Sequence, residues 1–225
     1  MTDDHLLKNG FTKSLSESTL YVKGVNDNVI TISLYVDDLF VIGNNEELMQ
    51  QFKAQMMKVF EMTDLGEMPY FLGIEIQQSQ QGIFISQQKS AKEVFMKFNM
   101  KNCRSISTPL MQNEKLRKDD KAEKVNESLY RSLISCLMYL TVTRPDIMFA
   151  VSLLSRFMYC ATEVHFKAAK RVLRYVKGTT DFGIMFEKSE KLNFHGYADS
   201  DCAGSYDDMR STSGYVFSFG FGCFS

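Results

Sequence analysis

The spacing of apolar and polar positions changes several times along the 225 residues, and each change predicts an element. Residues 20–22 and 29–36 are apolar-rich runs separated by KGVNDN, a turn-forming stretch, so the pair predicts a hairpin. A third run, 39–42, begins directly after Asp37 and Asp38, which predicts both carboxylates at the tip of a second tight hairpin. Behind Asn44 and Asn45 the spacing lengthens. Leu48, Phe52, Met56 and Val59 recur at the helical period, predicting a capped helix that ends near Phe60. Residues 70–76 and 83–85, joined through 77–82, predict a third hairpin.

The middle of the chain reads as helical. A helix starts at Ser86 or Gln87 and turns Val94, Phe95 and Phe98 inward. Residues 111–125, MQNEKLRKDDKAEKV, hold nine charges and few large apolar groups, which predicts an exposed, mobile connection. Asn126 then caps a helix with Leu129, Leu133, Leu137 and Leu140 on one face, and Pro145 opens another with Ile147, Val151, Leu154 and Met158. A further helix over 162–177 is stopped by Gly178. Strands return at 182–187, 192–199 and 214–219. Strand-rich ends around a helical middle predict an α+β fold.

Composition adds limits. With 44% hydrophobic and 24% charged residues, the chain has what a globular core requires. Its five cysteines are odd in number and scattered, which excludes a disulfide framework or a close-paired zinc site and points to a reducing intracellular compartment. No apolar run reaches the roughly 20 residues of a membrane helix, and MTDDHLLKNG lacks the order of a secretion signal, so no membrane partner is expected. The net charge of −1 hides a partition: residues 1–85 carry 5 basic against 12 acidic groups, 86–177 carry 18 against 8, and 178–225 carry 3 against 7. A basic middle between acidic ends suits a polyanion held by the middle, and equally an unevenly charged solvated surface.

Two constellations carry candidate chemistry. In the 162–177 helix, Lys167, Lys170, Arg171, Arg174 and Lys177 recur every three or four residues, opposite Ala169, Val172, Leu173 and Val176. Such a stripe suits nucleic-acid phosphates, and also a plain solvated amphipathic helix. Asp37 and Asp38 are the other. Two carboxylates about 4 Å apart repel by roughly 4 kcal/mol at an effective dielectric near 20, so a close pair raises one pKa or recruits a cation. Mg²⁺, hard and oxygen-preferring, is the natural recruit, although an exposed pair in an ordinary turn feels little of that repulsion.

The frame around the pair decides between these readings. YVDD between apolar strands resembles the metal-binding turn of reverse transcriptases. GFTKSLSESTLY at 10–21, DLGEMPYFLGIEI at 64–76, STPL at 107–110, YLTVTRPDIMFAV at 139–151, AAKRVLRYVKGT at 168–179 and YADSDCAGSYDDMRSTSGYVF at 197–217 resemble, in order, blocks of the copia-type LTR retrotransposon branch. The resemblance implies a partial palm over 1–85, a helical thumb and connection over 86–177, and the truncated start of a ribonuclease H-like α/β domain over 178–225. Asp37 and Asp38 would be the polymerase metal pair for Mg²⁺, with Tyr35 and Val36 forming the floor beneath a primer end. Phe71, Leu72 and Gly73 would grip the primer, and the basic stripe would face the template–primer duplex. Asp199 would be the first ribonuclease H metal ligand, with Asp201 as its weaker companion. The family also uses a further Asp on an earlier palm strand and further ribonuclease H acids, neither of which this chain supplies. The expectation is therefore weak or absent Mg²⁺ binding and negligible polymerase activity in isolation, unless the remainder of the polyprotein is supplied. A non-catalytic nucleic-acid-binding remnant and a pseudogene product stand as alternatives. Phe166 and Cys202 occupy positions where the family tends to have Trp.

Overall fold

The computed structural model describes residues 2–111, 116–188, 193–200, 204–205, 207–219 and 222–224. The chain forms two compact units, Met1–Glu67 and Met68–Ser225. Among the described residues the architecture is mixed α and β, with three antiparallel sheets.

The first unit comprises α1 (Thr2–Lys8), a sheet in sequential order β1 (Thr12–Lys13), β2 (Leu20–Val25), β3 (Asn28–Tyr35) and β4 (Asp38–Gly43), and α2 (Glu46–Val59). Strand alternation sends Ile30 and Ile32 to one face beside Tyr21 of the neighbouring strand. There they meet Leu6 of α1 and Phe52 and Met56 of α2, all buried. Asn45 caps α2, its side chain accepting from the Leu48 amide at 2.9 Å. Phe60 closes the helix as expected, but Val59 turns outward and is not part of the core.

The second unit contains β5 (Tyr70–Phe71), β6 (Ile74–Gln78), β7 (Gly82–Ser86), α3 (Gln88–Lys97), α4 (Glu127–Leu140), a 3-10 turn Pro145–Ile147 running into α5 (Met148–Ser155), α6 (Glu163–Gly178), β8 (Gly183–Glu187), β9 (Phe194–Ser200), β10 (Ser213–Phe219) and β11 (Gly222–Phe224). The four helices enclose a core that includes Phe95, Tyr130, Leu133, Leu137, Leu154, Val172 and Leu173. On α4 the inward face is Tyr130, Leu133, Ile134, Leu137 and Leu140; Leu129, expected to be inside, is exposed. α5 stops at Ser155, so Met158 lies beyond it.

Two further expectations do not hold. Residues 70–76 are not one strand, because a tight turn at Leu72 and Gly73 folds β6 back on β5. Residues 116–125 do not form a free connection: Leu116 is buried in the helical core, Val125 N donates to Ala161 O at 3.1 Å, Glu163 N to Glu123 O at 2.9 Å, and Thr162 Oγ1 to Asp120 Oδ2 at 2.6 Å. Charge density set the expectation, but the backbone of this stretch pairs with the start of α6, and an Asp carboxylate accepts from it. After α6 the chain returns to the first sheet of this unit, where β8 pairs with β7 in the order β5, β6, β7, β8. β9, β10 and β11 form a separate sheet, of which β11 had no counterpart in the sequence reading.

Candidate functional site

The apolar runs flanking Asp37 and Asp38 form β3 and β4, whose register sets the tip. Leu34 lies opposite Leu39 and Tyr35 opposite Asp38, leaving Val36 and Asp37 as a two-residue loop. Asp37 therefore occupies the turn itself, whereas Asp38 is the first residue of β4. Directly opposed residues share a sheet face, so Asp38 and Tyr35 project together. Both carboxylates are exposed. Val36 sits at φ +51° and is 81% exposed. Two-residue hairpin loops favour positive φ because it matches strand twist, but Gly, Asn or Asp normally supplies it. A β-branched residue there is strained by about 1–3 kcal/mol, a feature concentrated at functional sites.

The tip offers Mg²⁺ two adjacent oxygen-only side chains, the donor type the ion prefers, and two carboxylates together with substrate phosphates are a usual complement for it. Among the described residues no three His, Cys, Asp or Glu side chains are grouped to hold a metal. The donors fit the ion by chemistry, and the tip provides a pair of them.

The second predicted group, Phe71, Leu72 and Gly73, lies in the other unit. Phe71 pairs with Ile74, leaving Leu72 and Gly73 as a loop at φ +47° and +79°. Three bonds fasten this hairpin to helices. Tyr139 Oη of α4 donates to Leu72 O, Ser90 Oγ of α3 donates to Gly73 O at 3.1 Å, and Glu75 Oε2 accepts from the Lys89 amide in the first turn of α3 at 3.0 Å. Sequence reasoning missed Ser90, Glu75 and Tyr139. The glycine interrupting the apolar run was the available signal for the turn, but nothing local indicates which helix would meet it.

The α6 stripe divides into two kinds of residue. Arg171 Nη2 donates to Thr108 Oγ1 at 2.9 Å, and Arg174 Nε donates to Arg104 O at 2.8 Å. These two arginines fasten the segment following α3, which includes the STPL block. Lys167 is exposed. Lys170 Nζ stands 4.2 Å from the Phe166 ring centre and Lys177 Nζ 5.3 Å from that of Phe95, so both ammonium groups lean on aromatic faces. The opposite face is core as expected: Ala169, Val172, Leu173 and Val176 are buried.

Asp199 lies in β9 opposite Gly214, exposed, its carboxylate accepting from the Ser200 amide at 2.8 Å. Asp201 falls outside the described residues. The later pair, Asp207 and Asp208, anchors its loop: Asp207 accepts from the Lys118 amide at 2.9 Å and Asp208 from Arg156 Nη2 at 3.0 Å.

A family model described as reverse transcriptase (RNA-dependent DNA polymerase) matches residues 1–112. The chain is 36% identical to the retrovirus-related Pol polyprotein from transposon RE1 of Arabidopsis thaliana, over 95% of this chain and 14% of that protein. It is 36% identical to the retrovirus-related Pol polyprotein from transposon TNT 1-94 of Nicotiana tabacum, over 99% of this chain and 18% of that protein. A putative transposon Ty5-1 protein of Saccharomyces cerevisiae is 32% identical, over 94% of this chain and 69% of that protein. No solved structure gives a significant match. The chain thus spans 14% to 18% of the length of those two Pol polyproteins. With nearly its whole length aligned to such polyproteins and a YVDD hairpin tip carrying two exposed acids, the chain belongs to the copia-type retrotransposon Pol family, in its reverse transcriptase region.

Proposed function

We propose that the chain is the template–primer-handling part of a retrotransposon reverse transcriptase running into the start of a ribonuclease H domain. Residues 1–85 are partial palm, 86–177 thumb and connection, and 178–225 ribonuclease H-like. Asp37 and Asp38 would hold Mg²⁺, whose chemistry in this family is to activate the attacking primer oxygen and stabilise the leaving one. Tyr35 and Val36 support the primer end, and Phe71, Leu72 and Gly73 grip the primer strand. Lys167, Lys170 and Lys177 neutralise backbone phosphates of an RNA–DNA duplex, while Arg171 and Arg174 divide their donors between that duplex and the 104–108 segment. Asp199 and Asp201 are ribonuclease H metal ligands. With two grouped carboxylates at its tip, the isolated chain extends primers negligibly.

The observation that carries this reading is the exposed Asp37 and Asp38 at a two-residue loop, with Tyr35 on the same sheet face as Asp38. The test is binding of an RNA–DNA template–primer across a salt series, with primer extension in Mg²⁺ measured alongside. Salt-sensitive binding with negligible extension is expected. Binding indifferent to salt would contradict the phosphate role, and robust Asp37-dependent synthesis by the chain alone would contradict the inactivity. A non-catalytic nucleic-acid-binding role gains if binding is intact in D37N/D38N and indifferent to Mg²⁺.

A further inference from the structure

The loop at Leu72 and Gly73 raises a question of energetics. Both residues have left-handed backbone, and a leucine there is strained. Packing of its own side chain is a poor compensation, since Leu72 is 48% exposed. The compensation comes from the helices. Both loop carbonyls have side-chain donors, Tyr139 Oη for Leu72 O and Ser90 Oγ for Gly73 O. A Cβ on Gly73 would run into the Tyr139 hydroxyl, so the ring tip lies directly against the loop. The backbone that carries that ring is held in turn. Gln87 Nε2 donates to Tyr139 O at 3.1 Å, and Thr143 Oγ1 donates to Gln87 Oε1 at 2.9 Å, both side chains being buried. The end of α4 and the start of α3 are thereby held together beside the loop. Tyr139 itself is 41% exposed, so its hydroxyl is not paired merely to satisfy a group trapped in the core.

We infer that Tyr139 is the positioning residue of the 71–74 turn, its hydroxyl locking a strained loop so that α4 sets where that loop presents its side chains. This rests on the primer-gripping role proposed for Phe71, Leu72 and Gly73 insofar as the object presented to is the primer strand. The presented surface suits a nucleotide end: Leu72 and Tyr70 are both exposed, and Lys89 Nζ stands 5.0 Å from the Tyr70 ring centre. It offers an apolar contact and an aromatic ring from the hairpin and a cation from the first turn of α3. A rigid loop loses less freedom on binding than a mobile one, which is what the lock supplies.

The test uses the full chain and two readouts: peptide-resolved hydrogen exchange over residues 68–78, and photocrosslinking from a template–primer bearing a photoreactive base at the primer 3′ end. Tyr139→Phe keeps the ring and removes the donor. Exchange in 68–78 is expected to accelerate roughly fivefold, as for loss of one ordinary hydrogen bond, with amides elsewhere that exchange by local opening unchanged, the melting temperature lowered by only about 2–4 °C and crosslinks to 70–76 reduced. Ser90→Ala should act in the same direction. Unchanged exchange in 68–78 in both variants overturns the lock, and so does a loss of protection spread evenly over the chain, which marks a general packing role. If exchange accelerates locally while the wild-type chain crosslinks only outside 70–76, the lock stands and the primer-gripping reading falls.

Discussion

Val36 is the strained residue of the β3–β4 tip. It is β-branched, 81% exposed and held at φ +51°, so it has the cost of left-handed backbone without a packing return. Val36→Asn keeps a side chain and tolerates this backbone, and should raise stability to urea by about 1 kcal/mol. A loss of stability would show the loop to be unstrained. The positions of Asp37 and Asp38 near a tip were legible because apolar runs bracket them so closely. That Asp37 lies in the loop and Asp38 in the strand was not, since one residue of register decides it and register is set by the whole hairpin. The signs of φ at Val36 and Leu72 were hidden for the same reason: each belongs to a two-residue loop whose geometry follows the twist of the strands on either side.

Helices read from apolar period and caps lie where they were expected, apart from single positions such as Val59, Leu129 and Met158, while features made by distant partners were not foreseen. Asn45 and Asn126 are caps visible in sequence; the docking of residues 116–125 on the start of α6 is not, because it depends on backbone pairing that composition cannot report. Arg144 illustrates such a partner. It is 4% exposed, its Nε and Nη2 reach both Asp146 oxygens at 2.9 and 2.7 Å, and its Nη1 donates to Thr179 O at 2.9 Å. Arg144→Ala should cost about 3 kcal/mol in urea unfolding by taking the guanidinium fork from Asp146, which keeps its bond from Tyr175, and the donor from the α6 end. Lys at that position keeps the charge but loses the fork and should recover only part; full recovery would argue that charge alone matters. His165, at the start of α6, gives a pH dependence. It is buried, stacked on Phe157 with ring centres 4.0 Å apart, and accepts from Thr162 N at 3.1 Å. Burial lowers its pKa from the ordinary 6.5, with Asp120 pulling the other way. The unfolded chain therefore takes up the proton first, so this stability is present above pH 6.5 and is lost as pH falls through that value toward the lower folded pKa. The urea midpoint should decline between about pH 7.5 and 5.5, and His165→Gln should flatten that decline. An unaltered slope in the variant would assign the effect to other groups.

The charge partition along the chain is steepest at the basic stripe of α6. Charge spacing identified the five basic residues but could not reveal that Arg171 and Arg174 also hold the 104–108 segment. The two roles separate experimentally. Changing Lys167, Lys170 and Lys177 to Gln should lower the salt slope of template–primer binding by up to about 3 with only the small drop in melting temperature that two lost cation–aromatic contacts bring, whereas Gln at Arg171 and Arg174 should lower the melting temperature much further. Equal effects on stability from both sets would contradict this division. Whether the acids at the proposed β3–β4 metal site hold the ion is decided by amide NMR of the full chain titrated with Mn²⁺ as a paramagnetic stand-in for Mg²⁺. The account predicts broadening centred on residues 35–40, reversed by excess Mg²⁺ and abolished in D37N/D38N. Resonances at 35–40 that stay sharp at millimolar Mn²⁺, or broaden equally in D37N/D38N, would contradict it.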